Sequence, residues 1–197
     1  RHRLRRAGNC KSSRHGARKR PPKPLDSARL GELALAYVAR FSTSAARLER
    51  YLRRKLRERG WDGEGEPLVA ALAERYVVLG YIADEAFARA RSGSLLRRGY
   101  GQRRVRQALG EAGIAEELRE RVRPGEAEAR RAALALARRR RFGPFGGAAL
   151  DKPLREKQIA AMLRAGHPLD NARQIVDAAS AAEAEQWAAE ADDDEEL

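Results

Sequence analysis

The chain has 197 residues, 43% of them apolar and only 6% aromatic, and its formal net charge is +13. That length suits one domain or two small ones, and no apolar run reaches the roughly 20 residues that a membrane-spanning helix needs. The basic N-terminus lacks the apolar stretch of a secretory signal. The single Cys10 rules out an internal disulfide and fits a reducing, cytoplasmic setting.

Alanine, leucine, arginine and glutamate dominate, a composition that favours helix over strand. Residues 1–25 carry ten Lys/Arg and no acid, whereas residues 183–197 carry eight Asp/Glu and no base. The positive surplus nevertheless extends into the body of the chain, which points to a polyanion or an acidic protein surface as partner.

Residues 1–25 have too little apolar surface to offset the entropy of ordering and are expected to be a disordered basic tail. The first helix is predicted from about Asp26 to Arg40, with Leu30, Leu33, Ala34, Tyr37, Val38 and Phe41 forming one apolar stripe. Asp26 or Ser27 would cap it. The second, about Ala45–Arg59, turns Leu48, Leu52 and Leu56 inward and shows an arginine-rich outer face. The third, about Pro67–Leu79, is expected to bury Leu68, Val69, Leu72, Tyr76 and Leu79.

Asp84 is the expected N-cap of a fourth helix running to about Arg98, with Phe87, Ala90, Ser94 and Leu95 inward. Gly99-Tyr100-Gly101 reads as a turn. The fifth helix, about Gln102–Ala112, buries Val105, Ala108 and Leu109, and a short sixth covers about Ala115–Val122. An alanine-rich seventh spans about Glu126–Arg141 and ends in the run Arg138–Arg141, where cations suit the helix dipole. The FGPFGGA loop follows. Asp151 caps an eighth helix to about Ala165, and a ninth covers about Leu169–Ala179. Residues 181–197 are expected to be a disordered acidic tail.

One phrase recurs along this chain: a helix with an apolar residue, then four residues on a glycine, then a core residue. It occurs at Leu56/Gly60/Trp61, Leu109/Gly113/Ile114 and Met162/Gly166/His167, with the glycines 53 residues apart each time. Glycine closes such helices in the left-handed region with little strain. Three copies in register predict an all-α repeat protein. Its three tandem three-helix repeats occupy residues 26–82, 83–124 and 125–180, stacked into an elongated curved body.

No constellation for catalysis stands out. His2, His15 and His167 have no second ligand at helical spacing, no Cys/His cluster suits zinc, and no phosphate-binding Gly-rich loop is present. Asp192–Glu196 reads as a solubilising tail rather than an ion site. The expectation is a protein without catalytic residues, metal or cofactor.

ALAYVARFSTSAARLERYLRRKLRERGW, LGYIADEAFARA and RRGYGQRRVRQALGEAGI, with a last helix ending in AGH, resemble the RecX family, regulators of the RecA recombinase. The resemblance covers roughly residues 28–180 and is most specific from Leu79 to Ile114. It implies tandem three-helix repeats that bind RecA or its filament on DNA and inhibit ATP hydrolysis, strand exchange and coprotease function. The third unit departs from the family's Gly-Phe with Gly166-His167-Pro168, and is expected to be the least regular.

The repeat places Arg50 with Arg103, Arg53 with Arg106, and Tyr51 with Arg104 and Lys157. A stacked array could line such residues up along one surface. Arg50, Arg53, Arg54, Arg97, Arg98, Tyr100, Arg103, Arg104, Arg106 and Lys157 are therefore the candidate partner-binding or DNA-binding residues. The expected partners are the recombinase and its filament, with direct contact to single- or double-stranded DNA, no membrane, and a monomeric state. A general nucleic-acid-binding module that acts by occupying DNA is the alternative. The two differ in salt dependence, which is steep for binding through phosphates alone.

Overall fold

The computed structural model describes residues 23–147 and 150–193. Most of the expected N-terminal tail, including His2, Cys10 and His15, and the final residues 194–197 lie outside the described residues. Among the described residues ten α-helices follow one another: α1 Ser27–Arg40, α2 Ala45–Arg59, α3 Val69–Val78, α4 Asp84–Arg97, α5 Gln102–Glu111, α6 Glu116–Arg121, α7 Glu126–Arg140, α8 Lys152–Arg164, α9 Leu169–Asp177 and α10 Ala181–Asp193. A 3-10 turn covers Gly143–Phe145. The described residues contain no strand, only an isolated parallel bridge between Leu25 and Trp61.

The apolar stripes close three successive cores. Leu25, Leu30, Ala34, Leu48, Leu52, Val69, Ala73, Tyr76 and Ile82 fill the first, from α1–α3 and their flanking turns. Phe87, Leu95, Leu96, Val105, Leu109, Ile114 and Leu118 dominate the second, from α4–α6. Leu136, Ile159, Met162, Ala172, Ile175 and Val176 anchor the third. Local caps set the helix starts: Asp26 accepts from Arg29 N–H, Ser44 from Arg47 N–H and Asp151 from Leu154 N–H.

Several expectations are corrected. The third helix begins two residues later than Pro67, so Leu68 sits at the N-cap position and is 74% exposed, and Leu79 is exposed beyond the helix end. Ala90 faces solvent while Leu96 is buried, because α4 packs against α7 as well as α5 and so buries a broader arc. Asp84 does not cap its own helix. Its carboxylate accepts from Ala45 N–H at 3.0 Å, capping α2 across the unit boundary. The acidic segment is no tail as far as Asp193: Ala184, Ala188 and Ala191 step along one face of α10, are at most 2% exposed, and pack with Trp187 on α7.

The recurring glycine stop reverses the expected order of regularity. After α5, Gly113 N–H bonds Gly110 O and Ile114 N–H bonds Leu109 O. After α8, Gly166 N–H bonds Leu163 O and His167 N–H bonds Met162 O. These are the same pair of bonds, with the glycine at positive φ in both. The first copy is the one that departs. Gly60 has φ 81° and ψ 170°, and the chain then runs extended beside Leu25, with Leu25 N–H to Gly60 O and Asp62 N–H to Leu25 O. His167 keeps the third copy regular because its ring is only 3% exposed and fills the core position held by Ile114 in the second.

Candidate functional site

The units are joined through their middle helices, end to end. Gly101 N–H and Arg103 N–H, at the start of α5, bond Ala165 O and Gly166 O, at the end of α8. Ser44 Oγ, at the start of α2, donates to Ala112 O at the end of α5, at 2.6 Å. Helix termini leave amides and carbonyls without intrahelical partners; here one unit's carbonyls meet the amides or the N-cap hydroxyl of the unit before it. Small residues allow this approach. A Cβ on Gly101 would collide with the Gly166 carbonyl, and one on Gly113 with Ala46.

Two candidate arginines belong to these joints. Arg50 donates to Glu111 O at 2.7 Å, and Arg103 donates to Leu163 O. Arg139 donates to Arg98 O between α7 and α4, and His167 Nε2 lies 3.1 Å from Gly99 O. Burial lowers the His167 pKa below its ordinary value, opposed in part by the bond to Gly99.

Of the remaining candidates, Arg53, Arg54, Arg97, Arg106 and Lys157 are spread over separate concavities rather than gathered on one. Arg53 and Arg54 share with Arg50 a groove completed by Tyr37, Arg47, Tyr51 and Arg57. Tyr37 and Tyr51 stack there at 4.3 Å between ring centroids, and Arg54 lies over the Tyr51 ring. Arg53 pairs with Glu49 at 2.7 Å, and Arg54 approaches Glu58 at 3.6 Å. The Lys55 hydrogen bond, aided by the charges of Lys55, Arg54 and Arg57, holds the Glu58 carboxyl below its ordinary value.

Arg103 and Arg106 line a second groove with Val105, Leu109 and Arg119. Arg106 clamps α5 to α6 through Glu116 and Glu120. Arg104 bonds Gln107, Arg98 lies over the half-buried Tyr100 ring, and Arg97 lines a third groove with Glu128 and Arg131. Lys157 lies in a fourth, with Arg140, Arg141, Phe142 and Arg164.

Sequence reasoning missed Arg47, Arg57, Arg140, Arg141 and Arg164 as groove residues. The four-arginine run was the available signal for two of them. No group of three or more His, Cys, Asp or Glu among the described residues could hold a metal ion, and no helix among them is long and apolar enough to cross a membrane.

Tandem three-helix units joined through their middle helices define an α-helical repeat protein. The family model for the second three-helix domain of RecX matches residues 84–122, which cover α4 to α6. The regulatory protein RecX of Thermus thermophilus is 41% identical over 113 residues, covering 57% of this chain and 74% of that protein. The regulatory protein RecX of Myxococcus xanthus is 29% identical over 181 residues, covering 87% and 96%. That of Deinococcus radiodurans is 37% identical over 117 residues, covering 59% and 54%. The crystal structure of RecX from Lactobacillus salivarius superposes with a TM-score of 0.59 at 16% identity, over 76% of this chain and 96% of that one, which shows the same fold. The chain belongs to the RecX family of regulatory proteins.

Proposed function

We propose that this protein binds the RecA recombinase or its filament on DNA and restrains ATP hydrolysis, strand exchange and coprotease activity. The observation that supports this reading is family membership across the whole repeat array, with the second unit matching the family's own domain. A stacked array of helical units presents an extended surface, the form that suits an extended partner. The basic grooves on successive units offer arginine forks that bind carboxylates or phosphates bidentately. The protein acts on the filament itself, within a reducing cytoplasm, and as a monomer.

The test is DNA-dependent ATP hydrolysis by the cognate recombinase, near physiological salt, with this protein at substoichiometric amounts. Inhibition well below one molecule per recombinase subunit is the expected result. No inhibition sinks the reading, and inhibition only at amounts that coat the DNA favours simple occupation of nucleic acid.

A further inference from the structure

Several arginines on this surface are neutralised locally. Arg53 pairs with Glu49, Arg89 with Glu85, Arg106 with Glu116 and Glu120, Arg130 with Glu126, and Arg155 with Asp177. The run Arg138–Arg141 divides in two. Arg138 pairs with Glu185 at 2.6 Å, and Arg139 bonds Arg98 O. Arg140 and Arg141 do neither, and both line a groove of about 470 Å³ with Lys157 and Arg164 of α8. None of these four exposed cations makes an ion pair among the described residues, and no described acid lines the groove. Lys157 and Arg164 are seven residues apart, two helical turns, so they share one face of α8.

Arg141 also stands where the chain uses glycine elsewhere. It closes α7 at φ 56°, the one non-glycine residue at positive φ among the described residues. Arg141 N–H bonds Arg138 O and Phe142 N–H bonds Ala137 O, the pattern that Gly113 and Gly166 serve after α5 and α8. An L-residue in this region is strained. A cation kept at a strained position, facing an acid-free groove, is an outlier from which function can be inferred.

The groove wall is fixed in advance. Gly143 N–H bonds the buried Gln158 Oε1 at 2.7 Å, and a Cβ on Gly143 would collide with the Ile175 and Val176 carbonyls. Phe145 N–H and Gly146 N–H close the turn on Phe142 O and Gly143 O. Phe142, half-buried against the third core, lines the groove together with the four cations.

We infer that the groove between the end of α7 and α8 binds the phosphodiester backbone of single-stranded nucleic acid, with a base stacked on Phe142. Several unpaired cations in one concavity call for a ligand with several anionic charges on a flexible chain. A basic groove with an aromatic platform is the arrangement that accommodates a strand without reading its sequence. An acidic peptide would satisfy the cations but make no use of the ring. The site lies in the third unit, outside residues 84–122, and needs no recombinase to be tested.

The experiment is fluorescence anisotropy of a labelled oligothymidylate with the full chain and no other protein, across a salt series. Two variants are compared with the wild type: Arg141→Gly, and Lys157→Gln with Arg164→Gln. The first replaces the strained residue by the one that its backbone prefers, so its melting temperature should hold or rise. The double variant should weaken binding about tenfold at moderate salt and flatten the log–log salt slope by roughly 0.7 for each phosphate that is no longer neutralised. Arg141→Gly should flatten it by the equivalent of about one phosphate. Photocrosslinking with an iodouracil-substituted strand should place an adduct on Phe142. Unchanged affinity and slope in both variants would overturn the inference. So would competition by polyglutamate, or by inorganic tripolyphosphate, as effective as that by an oligonucleotide of matched charge.

Discussion

Arg50 reaches across a unit boundary to the main-chain carbonyl of Glu111, at the exposed end of α5. Arg103, its counterpart one repeat later, does the same for Leu163 at the end of α8. Each guanidinium supplies a charge-assisted bond and a favourable cation at a helix C-terminus. Because both side chains are exposed, the contribution is modest. Arg103→Ala should cost about 1 kcal/mol in chemical denaturation with helical content kept. Hydrogen exchange should speed up at Gly101 and Arg103, whose amides bond Ala165 and Gly166 across that joint. Arg50→Ala should behave alike without loosening the α8 joint.

Three glycines with positive φ respond differently to one methyl group. At Gly60 nothing lies within 4 Å of an added Cβ, so Gly60→Ala should cost only backbone strain, about 2 kcal/mol, because φ 81° with ψ 170° is a region essentially reserved for glycine. At Gly113 the same Cβ would collide with Ala46, and at Gly166 it would meet Arg104 N at 2.5 Å. Strain and overpacking then add, so Gly113→Ala and Gly166→Ala should each cost about 4 kcal/mol. Equilibrium unfolding of the three variants gives the ranking directly; equal losses would show that the close joint is not what those glycines serve.

These joints explain what was legible in the sequence and what was not. Leucine periodicity and glycine stops placed nine helices to within about two residues, since burial follows period 3.6. The docking of one helix end on the next is made by Ala165, Gly166 and Ala112 carbonyls, and carbonyls leave no trace in residue identity. Arg50 and Arg103 read as solvent-facing cations for the same reason: their partners are main-chain atoms about 60 residues away. Asp84 looked like a local cap and serves α2 instead. The last helix was hidden because its buried face is alanine and its exposed face acidic, a composition that mimics a solvated tail. Arg140 and Arg141 were visible as charge, but the acid-free groove that they share with Arg164 depends on how α7 meets α8.

The last helix should stabilise the third unit. Arg130 lies over the Trp187 ring at 4.8 Å and donates to Trp187 O at 3.0 Å, fastening α10 to α7. Trp187→Ala removes a half-buried aromatic surface and the cation–π interaction, and should cost about 2 kcal/mol. Truncation after Ser180 should uncover the face of α7 on which α10 packs and lower the melting temperature further. If truncation leaves the transition unchanged, α10 contributes nothing to the core despite its packing.

His167 makes the joint between the second and third units sensitive to acid. Its Nε2 faces Gly99 O, while Nδ1 is buried without a partner among the described residues. A proton on Nδ1 would place a charge in a desolvated position, so burial lowers the folded-state pKa. The unfolded chain, with a pKa of about 6.5, then binds a proton that the folded chain refuses. Stability from this residue is fully present above that unfolded value and declines as pH falls toward the lowered folded pKa, by at most about 1.4 kcal/mol per pH unit. His167→Phe keeps an aromatic ring of similar size and cannot titrate. Between pH 7 and 5 the wild type should lose stability relative to this variant in parallel denaturation curves. His2 and His15 are present in both proteins, so the difference isolates His167. Parallel pH profiles would mean that the imidazole is already accommodated in its charged form.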